Sequence, residues 1–443
     1  ELGAQSSFSF LRSTAEPEEL ARHAMQKGLA ALALTDYGGL YGIPRFCRAA
    51  HSFGLRPIVG VSLDVAGIGR IRLLCETLQG YQNLCELITK GHVNQPKGTC
   101  LVKLDELRAH HQGLTCLAGK GLRYISHTLA TPLADIFTAS HLAIETSLHL
   151  TRESQAQFLK LKELAEHLKV PALITNDVRH LHAKQKPLLD IMSCIHHRCT
   201  LDQAGTRLLP NAEHKLKSGK EIQELLSGEK KPLRNSEEVS ERCEFSFRDI
   251  GYTFPVFPTP EGQSQDKYLH EIVWSHSTKR YRNLTNKHRQ QISKELRVIE
   301  KLQLAGYFLL VWDIVRFAKS NNIMTQGRGS AANSAVCYVL GITAIDPIAM
   351  DLLFERFLSE ERGEWPDIDL DLPSGAKREM VIQYVYERYG PDGAAMTANV
   401  ITYRSKSALR ETGKALGFSP AQLDKVSKIA GRWSSAENSV ELA

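Results

Sequence analysis

Apolar runs and amphipathic stretches take turns through roughly the first 180 residues, and this alternation restricts the fold more than any other feature of the chain. PEELARHAMQKG (17–28) has the spacing of an amphipathic helix ending at Gly28, and LAALALTD (29–36) is a short apolar run of the kind buried in a parallel sheet. AAHSFGL closes a second helix ahead of the strand RPIVGVSLDV (56–65), and HLAIET (141–146) and PALITND (171–177) continue the pattern. Strand, helix, strand over this length predicts an α/β layer or barrel, with chemistry at the C-terminal ends of the strands. Asp36 and Asp177 stand at two such ends.

At 443 residues the chain exceeds what one hydrophobic core organises, so two or three domains are expected. Residues 201–265 are loop-rich and polar, and GYTFPVFPTPEGQSQ (251–265), with prolines at 255, 258 and 260, reads as a linker. A boundary is therefore placed between about 230 and 260. From 292 the chain is helical again, with Phe308, Val311, Ile314, Val315 and Ala318 on one face at helical spacing. Hydrophobic residues at 42% and charged residues at 23% describe a globular protein. No apolar run approaches the roughly 20 residues of a membrane span, and no export leader opens the chain. Nine scattered cysteines, an odd number, point to reduced thiols in a cytoplasmic protein rather than a disulfide framework. The net charge of +6 is compatible with an anionic partner but does not identify one. Glu1 at one end and SSAENSVELA at the other read as the borders of a piece of a longer chain.

Two motifs carry chemistry. In QGRGSAANSAVCYVLG (326–341), Gly327 and Gly329 permit backbone conformations and close approaches that a side chain blocks. Ser330 is expected to open a helix running to Gly341, its hydroxyl and the first amides facing an anion favoured by the helix dipole. No Lys-Ser/Thr follows at P-loop distance. Taken alone, the motif reads more readily as a tight turn with a serine N-cap. In WPDIDLDL (365–372), alternation sends Ile368, Leu370 and Leu372 to the core and Asp367, Asp369 and Asp371 to the other face. Aspartate is depleted in strands, and three carboxylates spaced about 7 Å apart along one strand repel one another. A divalent cation removes the repulsion, and oxygen ligands suit Mg²⁺, which also binds substrate phosphates. A solvated acidic edge is the other reading of the strand. Carboxylates, Mg²⁺ and a phosphate cradle together are the parts of two-metal phosphoryl transfer.

Other clusters point less sharply. CIHHRC (194–199) has the wrong spacing for a zinc finger, because adjacent His196 and His197 diverge on a helix, and it reads as a helix end. His180 and His182, just after Asp177, are candidates to fill a metal-ligand position. ITYRSKSALRETGKALG (401–417) carries Arg404, Lys406, Arg410 and Lys414 with few acids, which is either a solvated basic helix or a surface for phosphates.

QGRGSAANSAVCYVLGITAIDPI, LLFERFLSEERGEWPDIDLDLPSG and VIQYVYERYG together resemble the palm of bacterial C-family DNA polymerases, the polymerase III α subunit and its error-prone relative. EWPDIDLDL and ANVITYR…SALRETGKALGF are more similar to the error-prone branch. The resemblance implies an α/β and α+β multidomain chain. A polymerase-and-histidinol-phosphatase (PHP) type (β/α) barrel would span 1–235 and a polymerase-β-like nucleotidyltransferase palm 236–396, with linker 236–265. The start of a helical thumb would span 397–443. It also implies template-directed, error-prone DNA synthesis in repair, with Mg²⁺ as cofactor. Primer–template DNA and dNTP would be its substrates, and a sliding clamp with accessory proteins its partners through a part beyond Ala443. In the family the glycine-serine turn, here Gly327, Gly329 and Ser330, holds the triphosphate together with an arginine matching Arg356. Asp367 and Asp369 match its metal ligands and catalytic pair, Asp371 a less certain third position, and Arg404, Lys406 and Arg410 its DNA-tracking thumb. A further palm carboxylate would lie downstream of Ala443. Where the family's barrel carries metal ligands, this chain has Gly3, Gln5, Tyr37, Ser62 and Arg179, while Asp36 and Asp177 persist. A barrel without metal chemistry is therefore expected. The alternatives to a polymerase are a catalytically incomplete DNA- or protein-binding module, and a PHP-type metal phosphoesterase.

Overall fold

Strand β1 (Ala31–Tyr37) runs parallel to β2 (Arg56–Val65), because the helix Ile43–Phe53 carries the chain back between them. Only three residues then separate β2 from β3 (Gly69–Cys75), and a connection that short forces an antiparallel pair. β4 (Leu101–Val102) lies beside β2, β5 (Leu114–Leu122) pairs antiparallel with β3, and β6 (Leu142–Thr146) and β7 (Ala172–Ile174) follow in parallel. The sheet order is β1-β2-β3-β5-β6-β7 with β4 off the path, so it is mixed rather than parallel throughout. This is a computed structural model, and it describes residues 1–250, 256–359 and 366–429. The chain divides into two compact units, Glu1–Ile250 with Ile401–Ala443, and Gly251–Val400. Among the described residues no helix is long and apolar enough to cross a membrane.

The first unit is closed by its own N-terminus. Ala33 donates to the carbonyl of Glu1 and Thr35 to that of Ala4, both at 2.8 Å. On its other side the same segment exchanges bonds with residues beyond β7: Gln5 N to Val178 O at 3.0 Å and Val178 N to Gly3 O at 3.1 Å. Residues 1–5 thus join β1 to the chain after β7 and turn the open sheet into a barrel.

Strand alternation sorts the side chains into two faces. Leu32, Leu34, Val61, Leu63, Ile71 and Leu73 face outward and pack against Leu20, Phe46, Leu84 and Leu87 of the surrounding helices. Ala33, Ile58, Leu74, Leu117, Ala143 and Leu173 face inward, where Val239 of the helix Lys231–Arg242 and Cys243 just after it plug one end. Two to four residues further toward the opposite end, the inward positions become Tyr37, Ser62, Arg72 and Glu145, so that end of the barrel is polar. The plug helix is also tied to β7: Ser236 Oγ donates to Ile174 O at 2.9 Å and Asn235 Nδ2 to Ala172 O at 2.6 Å. These bonds carry the first unit to Ile250, past the 235 expected from the sequence. They also put residues 236–242 of the expected linker in a helix. Of that linker, 251–255 lie outside the described residues, as do 430–443 of the expected thumb. The helices Ser405–Ala415 and Pro420–Ile429 group with the first unit, and Ala415 is buried with Cys194 and Ala204.

The second unit is built on the helices Gln265–Arg280, Asn286–Lys301 and Ala305–Ser320. Phe308, Val311, Val315 and Ala318 of the last are buried and Ile314 is half-buried, so the face with helical spacing is the core face. The strands of this unit are β8 (Gln326–Arg328) and β9 (Asp369–Asp371), paired antiparallel.

Gly119 on β5 faces Glu145 on β6 so closely that an added Cβ would overlap the Glu145 carbonyl oxygen. Gly119→Ala is expected to push the two strands apart and cost about 1–3 kcal/mol. Urea denaturation of the 443-residue chain checks this, and an unchanged midpoint would contradict so tight an approach.

Candidate active site

The register Gln326↔Asp371, Gly327↔Leu370 and Arg328↔Asp369 sets the glycine turn directly beside the acidic strand. Gly327 is required for packing: its N–H donates to Ile342 O at 2.7 Å, and a Cβ would stand 2.8 Å from that oxygen. Gly329 is required for conformation, with φ of 70° in the left-handed region. Even there, a Cβ would come no nearer than 4.0 Å to Asp369 Oδ2, so the carboxylate looks onto the turn across open space.

Ile368 and Leu370 are half-buried against the core of the second unit, and Leu372 packs beside Val381 and Phe317. The Tyr307 hydroxyl accepts from Ile368 N at 3.0 Å and fixes the approach to the strand. Asp367, Asp369 and Asp371 are exposed. The Arg328 guanidinium lies 3.3 Å from Asp371 and 3.8 Å from Asp369. Among the described residues no three His, Cys, Asp or Glu side chains converge to cage an ion. Mg²⁺ needs no such cage, because it is commonly held by one or two carboxylates, water and substrate phosphates. The exposed, oxygen-only donors of Asp367, Asp369 and Asp371 fit that mode.

The structure corrects the expected role of Ser330 at a helix start. Gly329–Asn333 forms a separate 3₁₀ turn, and the α-helix is Ala335–Leu340 with Ser334 as its cap. Ser334 Oγ accepts from Cys337 N at 3.1 Å. The buried Glu295 carboxylate accepts from Ala335 N and Val336 N, both at 3.0 Å, and from Ser334 Oγ at 2.8 Å. That helix terminus is already filled by an anion of the protein itself, so its amides and dipole do not face a ligand. The 3₁₀ turn bearing Ser330 is a neighbour of both β8 and the turn Phe354–Arg356. Gly327, Gly329, Ser330 and Arg356 therefore belong to one neighbourhood with Asp369, on backbone turns rather than on a helix dipole. Glu295→Ala would leave two amides and a hydroxyl unpaired in a buried place and is expected to cost about 3 kcal/mol. Thermal denaturation checks this, and a loss below about 1 kcal/mol would mean that water replaces the carboxylate.

The polar end of the barrel has a different composition. Its expected ligand positions hold groups that pair internally. Arg72 is buried between Glu145 and Asp177, bonded to both. Asp177 also meets Lys120 Nζ at 2.6 Å, Arg179 at 3.1 Å and His214 Nδ1 at 3.4 Å. Burial alone would raise the Asp177 pKa, but Arg179, Lys120 and Arg72 hold it well below the carboxylate range. Arg179 donates to Gln5 Oε1 at 2.6 Å, and the Tyr37 hydroxyl to Asp64 at 2.7 Å. At Gly3 a Cβ would stand 3.2 Å from Glu145 Oε1 and 3.3 Å from the Arg72 guanidinium carbon. Asp36 accepts from Ser6 and Ser9, and burial raises its pKa despite those bonds. Fixed guanidinium and ammonium groups thus neutralise Glu145 and Asp177, serines occupy Asp36, and the donor set does not fit a metal cluster. His180 is buried with neither ring nitrogen partnered, and His182 lies outside with His23 at 3.1 Å. His196 and His197 end the helix Lys186–His197, with Arg198 left-handed after it and Cys194 buried beneath.

The basic segment is divided by its packing. Arg404 and Lys406 are exposed at the start of the helix Ser405–Ala415. Arg410 is instead bonded to Asp424 at 2.6 Å and Ser427 at 3.1 Å on the next helix, which withdraws it from the basic row that the sequence implies.

Residues 267–442 match the family model described as the bacterial DNA polymerase III alpha NTPase domain, and residues 1–167 match that of the PHP domain. An error-prone DNA polymerase of Anaeromyxobacter dehalogenans (strain 2CP-C) is 36% identical over 98% of this chain and 46% of its own length. One from Rhodopirellula baltica is 38% identical over 98% of this chain and 39% of its own length. One from Mycobacterium tuberculosis (strain ATCC 25618 / H37Rv) is 38% identical over all of this chain and 42% of its own length. The chain spans less than half the length of these relatives.

Proposed function

We propose that this chain, which belongs to the bacterial DNA polymerase III α family, forms part of a template-directed DNA polymerase of the error-prone branch. It would add deoxynucleoside triphosphates to a primer 3′-hydroxyl on a primer–template duplex, in repair synthesis in the cytoplasm. The observation that carries this reading is the β8–β9 register, which sets a glycine-serine turn against a row of exposed carboxylates. Membership of the family supports the same substrates, and the names of the relatives support the error-prone role.

In this reading Asp367 and Asp369 hold divalent cations, Mg²⁺ by the hardness of their oxygen donors, and Asp371 is an auxiliary ligand. When bound, the cations activate the 3′-hydroxyl and neutralise charge on the triphosphate and its leaving group. The half-buried Ile368 and Leu370 keep the carboxylates on the open face, so their positions are set before substrate arrives. Gly327 and Gly329 let backbone approach the phosphates, and Ser330 offers a hydroxyl from the same turn. Arg356 supplies a fork-shaped cation suited to a phosphate. Arg328, which now spans Asp369 and Asp371, must release one of them as a cation binds. Arg404 and Lys406 offer charge to the duplex backbone. A sliding clamp and accessory proteins belong to the reading as partners of the longer protein.

Primer extension tests the metal ligands in a full-length protein carrying this segment. Asp367→Ala or Asp369→Ala is expected to lower the rate by roughly 10²–10³-fold, since charge stabilisation in the transition state is lost. The melting temperature should hold, because an exposed carboxylate packs little. Near-wild-type synthesis by Asp369→Ala would place the chemistry elsewhere.

Nucleotide dependence tests the turn separately. Ser330→Ala and Arg356→Ala should each raise the apparent KM for dNTP on the order of tenfold, with duplex affinity unchanged. An unaltered KM in both variants would remove the turn from the triphosphate site.

A further inference from the structure

Asp313 lies midway along the helix Ala305–Ser320 and is fully buried. A buried carboxylate adds little stability beyond what an apolar side chain of the same volume would give, so its partners point to what it specifies. Arg316, one turn further on, donates to Asp313 Oδ1 at 2.6 Å, and its guanidinium lies over the Trp312 ring at 4.7 Å. Oδ2 accepts from two phenols, Tyr384 at 2.6 Å and Tyr389 at 2.9 Å, which stand 71 and 76 residues away in sequence. Burial pushes both phenol pKa values up and the bond to Asp313 pushes the same way, so both hydroxyls remain donors.

Tyr384 and Tyr389 belong to the helix Ala376–Gly393, and residues 372–375 alone separate that helix from β9. Among its described residues only Val381 is buried. Tyr384 also stacks on Phe317, with ring centroids 3.8 Å apart and planes 4° from parallel, and Lys377 Nζ reaches Asn322 O at 3.4 Å. So little apolar surface does not by itself fix how a helix is turned. Two phenols five positions apart meet one oxygen in a single rotation of the helix, and Asp313 supplies that oxygen. The strand before the helix needs such support, because its carboxylates are exposed and Leu370 is only half-buried. Tyr307, on the same helix as Asp313, accepts from Ile368 N at 3.0 Å. β9 is thus strung between two supports on one helix, Tyr307 before it and Asp313, through the two phenols, after it.

We propose that Asp313 is a positioning residue for the acidic strand. By fixing the helix Ala376–Gly393 through Tyr384 and Tyr389, it sets where Asp369 and Asp371 stand opposite the glycine turn. The role rests on the reading of β9 as the strand that holds the cations for phosphoryl transfer. Asp313 itself is sealed from solvent and acts through the backbone, without touching substrate. Displacements of about 1 Å at a reacting centre cost up to 10²-fold in rate, so a brace of this kind bears on turnover.

Hydrogen exchange on the 443-residue chain and primer extension by a full-length protein carrying it test the role together. The first variant is Tyr384→Phe with Tyr389→Phe. It removes two hydroxyls and keeps both rings, including the stack on Phe317, so it is expected to fold. Amide exchange over 366–372 should quicken on the order of tenfold. A residue that merely docks the helix would quicken 376–393 and leave the strand as it is. In primer extension kcat should fall about tenfold and the Mg²⁺ concentration for half-maximal rate should rise severalfold. The KM for dNTP should hold, because Ile342 and Glu295 support the turn separately. Asp313→Asn, which keeps the volume and loses the charge, should show the same pattern. Faster exchange confined to 376–393 overturns the proposal, as does an unchanged kcat and Mg²⁺ requirement in both variants. Asp369→Ala separates the two layers. Near-wild-type synthesis by that variant would overturn the reading of β9, whereas its inactivity beside unimpaired tyrosine and Asp313 variants would overturn the positioning role alone.

Discussion

Three residue pairs between β8 and β9 hold the glycine turn and the acidic strand in one place, and the side-chain period of a strand makes that register unforgiving. A slip of one residue would turn Asp369 toward the core and Leu370 toward solvent. Both strands are short, so the register is fixed from outside them. Gly327 is bonded to Ile342, Ile368 to Tyr307, and Ile368 and Leu370 rest on the helical core. Glu295 holds the start of the helix Ala335–Leu340, and Ile342 follows directly after that helix ends at Gly341. A buried carboxylate thus sets the position of the turn without approaching a substrate.

The two units manage concentrated negative charge in opposite ways. On β9 Asp369 and Asp371 stay exposed and share the exposed guanidinium of Arg328. In the barrel Glu145 and Asp177 are buried and matched by guanidinium and ammonium groups. Removing one partner there would leave a buried charge unpaired, a loss of several kcal/mol. That cost ties the replaced ligand positions together: with Arg72 and Arg179 in place, no single substitution brings a metal site back.

What was legible in the sequence followed from local periodicity. β1, β2 and the helix Pro17–Gln26 announce themselves through apolar runs and a terminal glycine, and the buried face of Ala305–Ser320 through its spacing. β3 escapes the same test. In GRIRLLC the residues that alternate with Ile71 and Leu73 are Arg70 and Arg72, which look like a solvated face. They point into the barrel because their carboxylate partners include Glu145 and Asp177, which lie 73 and 105 residues away from Arg72. The start of the helix after the glycine turn was misplaced for a similar reason. Ser330 and Ser334 are both good caps, and the choice between them is made by Glu295, about forty residues earlier. The need for glycine at 327 and 329 was visible, whereas the pairing that withdraws Arg410 depends on Asp424 in the following helix.

The closure of the barrel by residues 1–5 has a consequence for how the chain reaches its fold. That segment is the first of these residues to be synthesised, yet half of its hydrogen-bonding edge belongs to Val178. Until Val178 has emerged, residues 1–5 can satisfy only their β1 side, and their own outer edge stays open to other unpaired strands. Contacts of such sequence separation form slowly, because loop closure must precede any gain from them. The first unit therefore passes through an interval, longer on a slow ribosome, in which its most aggregation-prone edge is guarded by five residues held on one side alone.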